Sequence, residues 1–171
     1  MKLGLLILLL APAATASAQL APPPRPDCAA AEHRQLDFWL GEWDVFDAAL
    51  STVPIATSRI ARIANGCGIV ERYESPAAPG GPYAGTSYSA FDRKDGHWHQ
   101  MYVDTNGNVN WYSGGLADGE MVLTAPARQG SLQRMVYRPH DDGSVEQVGT
   151  ISNDGGRNWQ PGYDYLYRRR R

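Results

Sequence analysis

From Asp95 onward the chain is punctuated by turn-forming pairs: Asp95-Gly96, Asn106-Gly107, Asp118-Gly119, Gln129-Gly130, Asp142-Gly143 and Asp154-Gly155. They begin at intervals of 11, 12, 11, 13 and 12 residues. A glycine behind a small polar residue takes the positive φ that tight hairpins require. Each interval holds one strand of about eight residues and a turn, so strands adjacent in sequence are adjacent in the sheet. Crossovers between parallel strands need a dozen or more residues, which these intervals do not spare. Short alternating runs of Tyr, Trp, Val, Ile and Thr fill the intervals. Strands are expected near 42–47, 57–64, 69–74, 84–92, 97–104, 108–114, 120–125, 132–138, 144–152 and 159–168, ten in all. Ten twisted antiparallel strands curl and close to remove their edges, so the expected fold is an all-β, up-and-down antiparallel barrel. A propeller, with four or more blades of about 40 residues, needs more chain than is present.

Ahead of the strands, Asp27 can cap a short helix over about 28–40, with Ala29, His33, Leu36 and Leu40 on one face and Gly41 as its stop. Further upstream, Met1-Lys2, the apolar run Leu3 to Leu10 and Ala16-Ser17-Ala18 read as a secretory signal peptide, residues 1–18, cleaved after Ala18. The run is shorter than the roughly 20 residues a membrane span needs, and no second run occurs, so no integral membrane segment is expected. Residues 19–27 read as a proline-rich extended linker, leaving 28–171 as the barrel domain. The expected location is the periplasm or the exterior. Cys28 and Cys67 are the only cysteines. In an oxidising compartment they read as a disulfide, the alternative being two buried free thiols.

A hydrophobic fraction of 43% with 20% charged residues excludes disorder and membrane bundles. Without the leader, which carries Lys2, 15 bases face 18 acids, so the chain has no basic footprint for nucleic acid.

Phe38-Trp39-Leu40-Gly41-Glu42-Trp43 carries a G-x-W signature behind a short helix and at the start of the first strand. It resembles the opening of calycins, the lipocalin-like barrels. Cys28, this hexapeptide, Asn65-Gly66-Cys67, Trp98-His99-Gln100 with Val103-Asp104, and the S-x-D-G-G-x-x-W of residues 152–159 together resemble a group of exported bacterial proteins of unknown function with a calycin-like barrel. The resemblance covers most of the mature chain. It implies that Trp43 lies over the barrel floor against an arginine of the last strand, matched by Arg168. Ser152 to Trp159 also resembles the Asp-box of sialidases, read here as a hairpin device that ties Asp154 to its loop backbone and buries Trp159.

Pairing parity then selects a lining. If Asn106-Gly107 makes a two-residue hairpin, Thr105 pairs with Asn108, Tyr102 falls opposite Trp111 and Gln100 opposite Ser113. A two- or four-residue loop at Asp95-Gly96 adds Phe91 and Ser89 of the preceding strand to Trp98, Gln100, Tyr102 and Trp111. Phe91, Trp98, Gln100, Tyr102, Trp111 and Ser113 are therefore the expected ligand-binding residues, since aromatic rings with a few amides and hydroxyls line small-molecule pockets. The alternative is that these rings fill the lumen. Tyr88, Ala90, His97, His99, Met101, Val103 and Tyr112 make the other face. His97 and His99 lie about 7 Å apart on one strand face. They are the candidates for a metal, or for a haem iron as nitrobindin-type barrels hold it; otherwise no cofactor is expected. Glu71 and Glu74 read as an exposed, charge-mixed strand surface, and His33 and His140 as solvated. Arg168 is expected to be structural and Arg169 to Arg171 a frayed tail.

No nucleophile elbow, Cys/His pair, phosphate-cradling loop or spaced carboxylate pair stands out. The sequence therefore points to an exported barrel that binds a small apolar or aromatic molecule without transforming it. A haem or metal barrel using His97 or His99, an enzyme, and a protein-binding module are the alternatives.

Overall fold

Hairpin follows hairpin along the chain. The computed structural model describes residues 28–171 and contains ten strands: β1 Gly41–Asp47, β2 Ala56–Ile63, β3 Gly68–Ser75, β4 Tyr83–Asp92, β5 His97–Asp104, β6 Val109–Ala117, β7 Glu120–Pro126, β8 Leu132–Pro139, β9 Val145–Ser152 and β10 Gln160–Arg169. Each is antiparallel to its sequence neighbours, and β1 pairs with β10 to close the barrel. Closure satisfies every strand edge within the sheet. No helix among the described residues is long and apolar enough to cross a membrane. The expected leader, its cleavage point, the 19–27 linker and the Asp27 cap lie outside the described residues.

The helical segment ahead of β1 is built from two short 3-10 turns, Ala31–Arg34 and Asp37–Trp39. His33, Leu36 and Trp39 are buried at every third position, which matches the three residues per turn of this geometry. His33 is thus not solvated: it is buried, with its ring edge-on to Phe91 at 5.4 Å between centroids.

This segment plugs one end of the barrel. Leu36, Trp39 and Trp43 are fully buried. The Trp39 ring packs on Tyr137 and Tyr167 at 4.7 and 6.1 Å. Trp43 donates its indole N–H to the Trp39 carbonyl at 2.9 Å. The Cys28–Cys67 disulfide ties the plug to the turn between β2 and β3. Arg62 strengthens the tie by pairing with Asp37 and donating to the Gly66 carbonyl.

The cation over Trp43 is Arg169, 4.4 Å from the ring centroid, and it also donates to the Leu40 carbonyl at 2.8 Å. Arg168 does not occupy this place. Tyr163, Tyr165 and Tyr167 point inward, so alternation brings Arg169 to the same side and turns Arg168 out, onto Phe46 at 5.1 Å. The tail is also more engaged than a frayed one, since Arg170 lies 3.4 Å from the Asp44 carboxylate.

Candidate functional site

The β4–β5 connection is a four-residue loop between Asp92 and His97, so the face chosen on these strands points inward. Along it the residues descend in layers. Trp98 and Phe91 belong to the plugged end, with Trp98 fully buried and its indole N–H donated to Gln35 at 2.9 Å. Gln100 is buried at mid-barrel and donates to Ser89 and to the Tyr137 hydroxyl at 3.0 and 3.3 Å. Tyr102 lies at the opposite end, the mouth.

On β6 the expected face is inverted. Asp104 pairs with Asn108 through a backbone hydrogen bond, leaving a three-residue loop of Thr105, Asn106 and Gly107, with Gly107 at φ 77°. The Asp104 carboxylate fixes this turn by accepting from the backbone N–H groups of Asn106 and Asn108 at 2.9 and 3.0 Å. An odd loop shifts the register by one, so Gln100 faces Tyr112 and Met101 faces Trp111. Trp111 is 64% exposed and belongs to the outer wall, as does Ser113. Tyr112, assigned above to the outer wall, points inward and donates to Gln133 at 2.9 Å. Ser113 instead lines a shallow external cleft of about 560 Å3, shared with Gln35, His97 and Leu116.

Five tyrosines converge at the mouth: Tyr73 on β3, Tyr83 on β4, Tyr102 on β5, and Tyr163 and Tyr165 on β10. Tyr112 on β6 lies on the inner wall within electrostatic reach of Tyr163. Ring centroids are 6.0 Å apart for Tyr73 and Tyr83, 6.4 Å for Tyr73 and Tyr165, and 4.8 Å for the stacked Tyr163 and Tyr165. The Tyr83 and Tyr102 hydroxyls meet at 2.6 Å, and Tyr83 reaches Asp104 at 3.1 Å. Two inward glycines shape this end. A Cβ on Gly85 would overlap Tyr102, and one on Gly149 would overlap the Tyr163 ring. Both rings therefore lie against the wall beside a bare backbone, in the way aromatics cover glycines in sheets. Burial pushes the phenol protons of Tyr73, Tyr83, Tyr102, Tyr112, Tyr163 and Tyr165 to higher pH, so the mouth presents neutral hydroxyls.

Beneath the tyrosines lies a carboxyl group. Glu71 is not a surface residue: it is 4% exposed and accepts hydrogen bonds from Ser58 at 2.9 Å, Ser87 at 3.2 Å and Tyr167 at 3.4 Å. Burial pushes its pKa up from 4.5 to about 7, outweighing the opposite pull of the three hydroxyls. No arginine, lysine or histidine pairs with it among the described residues. Tyr167 extends the network to Gln147 at 2.7 Å, and Gln147 extends it to Met135. A signal for Glu71 was present in alternation: Ile69, Glu71 and Tyr73 share one side of β3, and Ile69 and Tyr73 are core residues.

His97 and His99 sit at the β4–β5 connection, 57% and 44% exposed at the side chain. Both turn to Asp95. His99 Nε2 is 2.8 Å from its carboxylate and His97 Nδ1 is 2.8 Å from its carbonyl. The ligand atoms of His99, Asp95 and Asp92 lie within 4.8 Å of one another, and His97 is not part of that group. Farther along, Asp154 accepts from the backbone N–H groups of Arg157 and Asn158 at 3.0 and 2.9 Å, so residues 152–159 form the hairpin device expected of them. Trp159 is half-buried there, with Arg134 4.2 Å above its ring. The chain matches no protein-family model and no curated protein sequence, so its site is defined by these side chains alone.

Proposed function

We propose that this protein is an exported, calycin-like barrel that binds a small aromatic or apolar ligand at its tyrosine-lined mouth without transforming it. The observation that carries the reading is the convergence of five phenol rings at the end opposite the plug, with Tyr112 on the inner wall near Tyr163. Rigid aromatic surfaces with a few polar tips supply contact area at low entropic cost. Phe91 and Trp98 serve the floor in this reading, Gln100 and Tyr102 remain with the lining, and Tyr112 replaces Trp111.

Naphthylmethanol, neutral and fluorescent, is a suitable probe. Calorimetry should detect its binding to the native chain. Tyr102→Ala and Tyr112→Ala should weaken that binding about tenfold, as loss of a ring from an aromatic lining does. Trp111→Ala should leave it unchanged. Absence of binding, or equal loss in all three folded variants, would overturn the reading.

A further inference from the structure

The mouth and the carboxyl group beneath it form one constellation. Glu71 stands one inward step below Tyr73, about 7 Å deeper along the strand. Its two oxygens are unequally used: Oε1 accepts from Ser58 and Tyr167, whereas Oε2 accepts from Ser87 alone. A carboxylate has about four acceptor positions, so one remains open on Oε2. Three of the arginines are engaged elsewhere. Arg134 is held over Trp159, Arg157 donates to the Asp154 carbonyl, and Arg169 is spent on Trp43 and Leu40 at the far end. Two carboxylates lie beside the mouth tyrosines, Asp104 at Tyr83 and Asp47 near Tyr165, while Arg128 stands farther out in the β7–β8 connection at the same end. Phenol rings add their own preference, because the π face attracts a cation.

We infer that the site selects an organic ammonium ion: an arylalkylamine whose ring lies among the mouth tyrosines and whose ammonium group donates to Glu71 Oε2. The inference rests on the proposed binding at the mouth and adds the charge of the ligand. A buried carboxylate with hydroxyl donors and no cationic partner is incomplete as an ion pair, and an ammonium supplies the missing charge. Neutral aromatics of the same shape fill the mouth without that gain. Anionic ones meet Glu71 and Asp104 with like charge.

The test compares three probes on one frame, naphthylmethylammonium, naphthylmethanol and naphthoate, by calorimetry with the native chain and Glu71→Gln at about pH 8. The ammonium should bind about 10- to 100-fold more tightly than the alcohol, the range expected of a charge-assisted hydrogen bond. Naphthoate should bind more weakly than the alcohol. In Glu71→Gln the ammonium preference should vanish while the alcohol keeps its affinity.

The native chain alone provides a second readout that does not depend on the variant folding. With Glu71 titrating near 7, ammonium affinity should fall about tenfold from pH 8 to pH 6, with uptake of the ligand releasing a proton at the lower value. Alcohol affinity should not change. The groups facing Glu71 do not interfere: Tyr73, Tyr102, Tyr137, Tyr163 and Tyr167 are all pushed above their ordinary range, Ser58 and Ser87 do not titrate, and Asp104 is held below it by its hydrogen bonds. Equal affinity of ammonium and alcohol, or a preference that survives in folded Glu71→Gln, overturns the inference while binding at the mouth stands. Failure of all three probes overturns both.

Discussion

Protonation of Glu71 should make this barrel more stable in mild acid than at neutral pH. The folded chain holds that proton more tightly than the unfolded chain, since burial moves the carboxyl from 4.5 to about 7. A group whose folded pKa is raised contributes its full stabilisation below the unfolded value. That contribution declines between about pH 4.5 and 7 and is gone above. At about 1.4 kcal/mol for each power of ten in proton affinity, the decline amounts to about 3 kcal/mol. Asp164 is also raised by burial and acts in the same sense with or without Glu71, so it cancels between the native chain and a Glu71 variant, whereas Asp154 is held down to about 2 and Asp95, Asp104 and Asp142 are lowered, so their contributions are lost only in stronger acid. Urea denaturation of the native chain and of Glu71→Gln at about pH 5, 6, 7 and 8 isolates the effect. The glutamine variant removes the titration while keeping the shape. The difference in unfolding free energy between the two should move by about 3 kcal/mol in favour of the variant as pH rises across the series. Parallel pH curves for the two proteins would refute the argument, because they would show Glu71 taking up no proton on folding.

Two further outcomes test the scaffold. Reduction of Cys28–Cys67, or Cys67→Ser, should cost about 4 kcal/mol in the chain-entropy account for a bridge between residues 39 apart; denaturation with and without reductant measures it, and an unchanged midpoint contradicts it. Gly149→Ala should destabilise by about 1–3 kcal/mol, because the added methyl meets the Tyr163 ring. Tyr163→Ala in that background should recover part of the loss, which a double-mutant cycle by thermal denaturation will show or refute.

Most of the architecture was legible because turn chemistry is local. Glycine in the positive-φ region marks the hairpins after β4, β5, β6 and β8, and between them alternation does the rest. The site was legible only where parity carried unbroken. β5 follows a four-residue loop and its inner face was readable as far as Tyr102; β6 follows a three-residue loop, and one residue of difference exchanged Trp111 for Tyr112. Asn106-Gly107 suits either length, and what decides between them is the Asp104 carboxylate gathering two backbone N–H groups, a contact that spacing alone does not specify. Arg169 was displaced by the same arithmetic, one position along β10. Glu71 escaped for a different reason. Charged side chains are almost never fully buried, and only the three-dimensional meeting of Ser58, Ser87 and Tyr167 makes its burial tolerable.

The seam between β1 and β10 joins Trp43 to Arg169, residues 126 apart by subtraction of their positions. Every other ladder is a hairpin that zips from its own turn, so nine of the ten junctions form locally and one waits for nearly the entire chain. Loop-closure entropy for that last junction must be met before its hydrogen bonds return anything. A nascent chain therefore carries two raw strand edges until β10 emerges, and it is open to pairing with another copy throughout that interval. The plug segment and its bridge to the turn after β2 shorten the search by holding the floor against β1 in advance. Loss of the final strand should leave a curled, sticky sheet in place of a slightly weaker barrel.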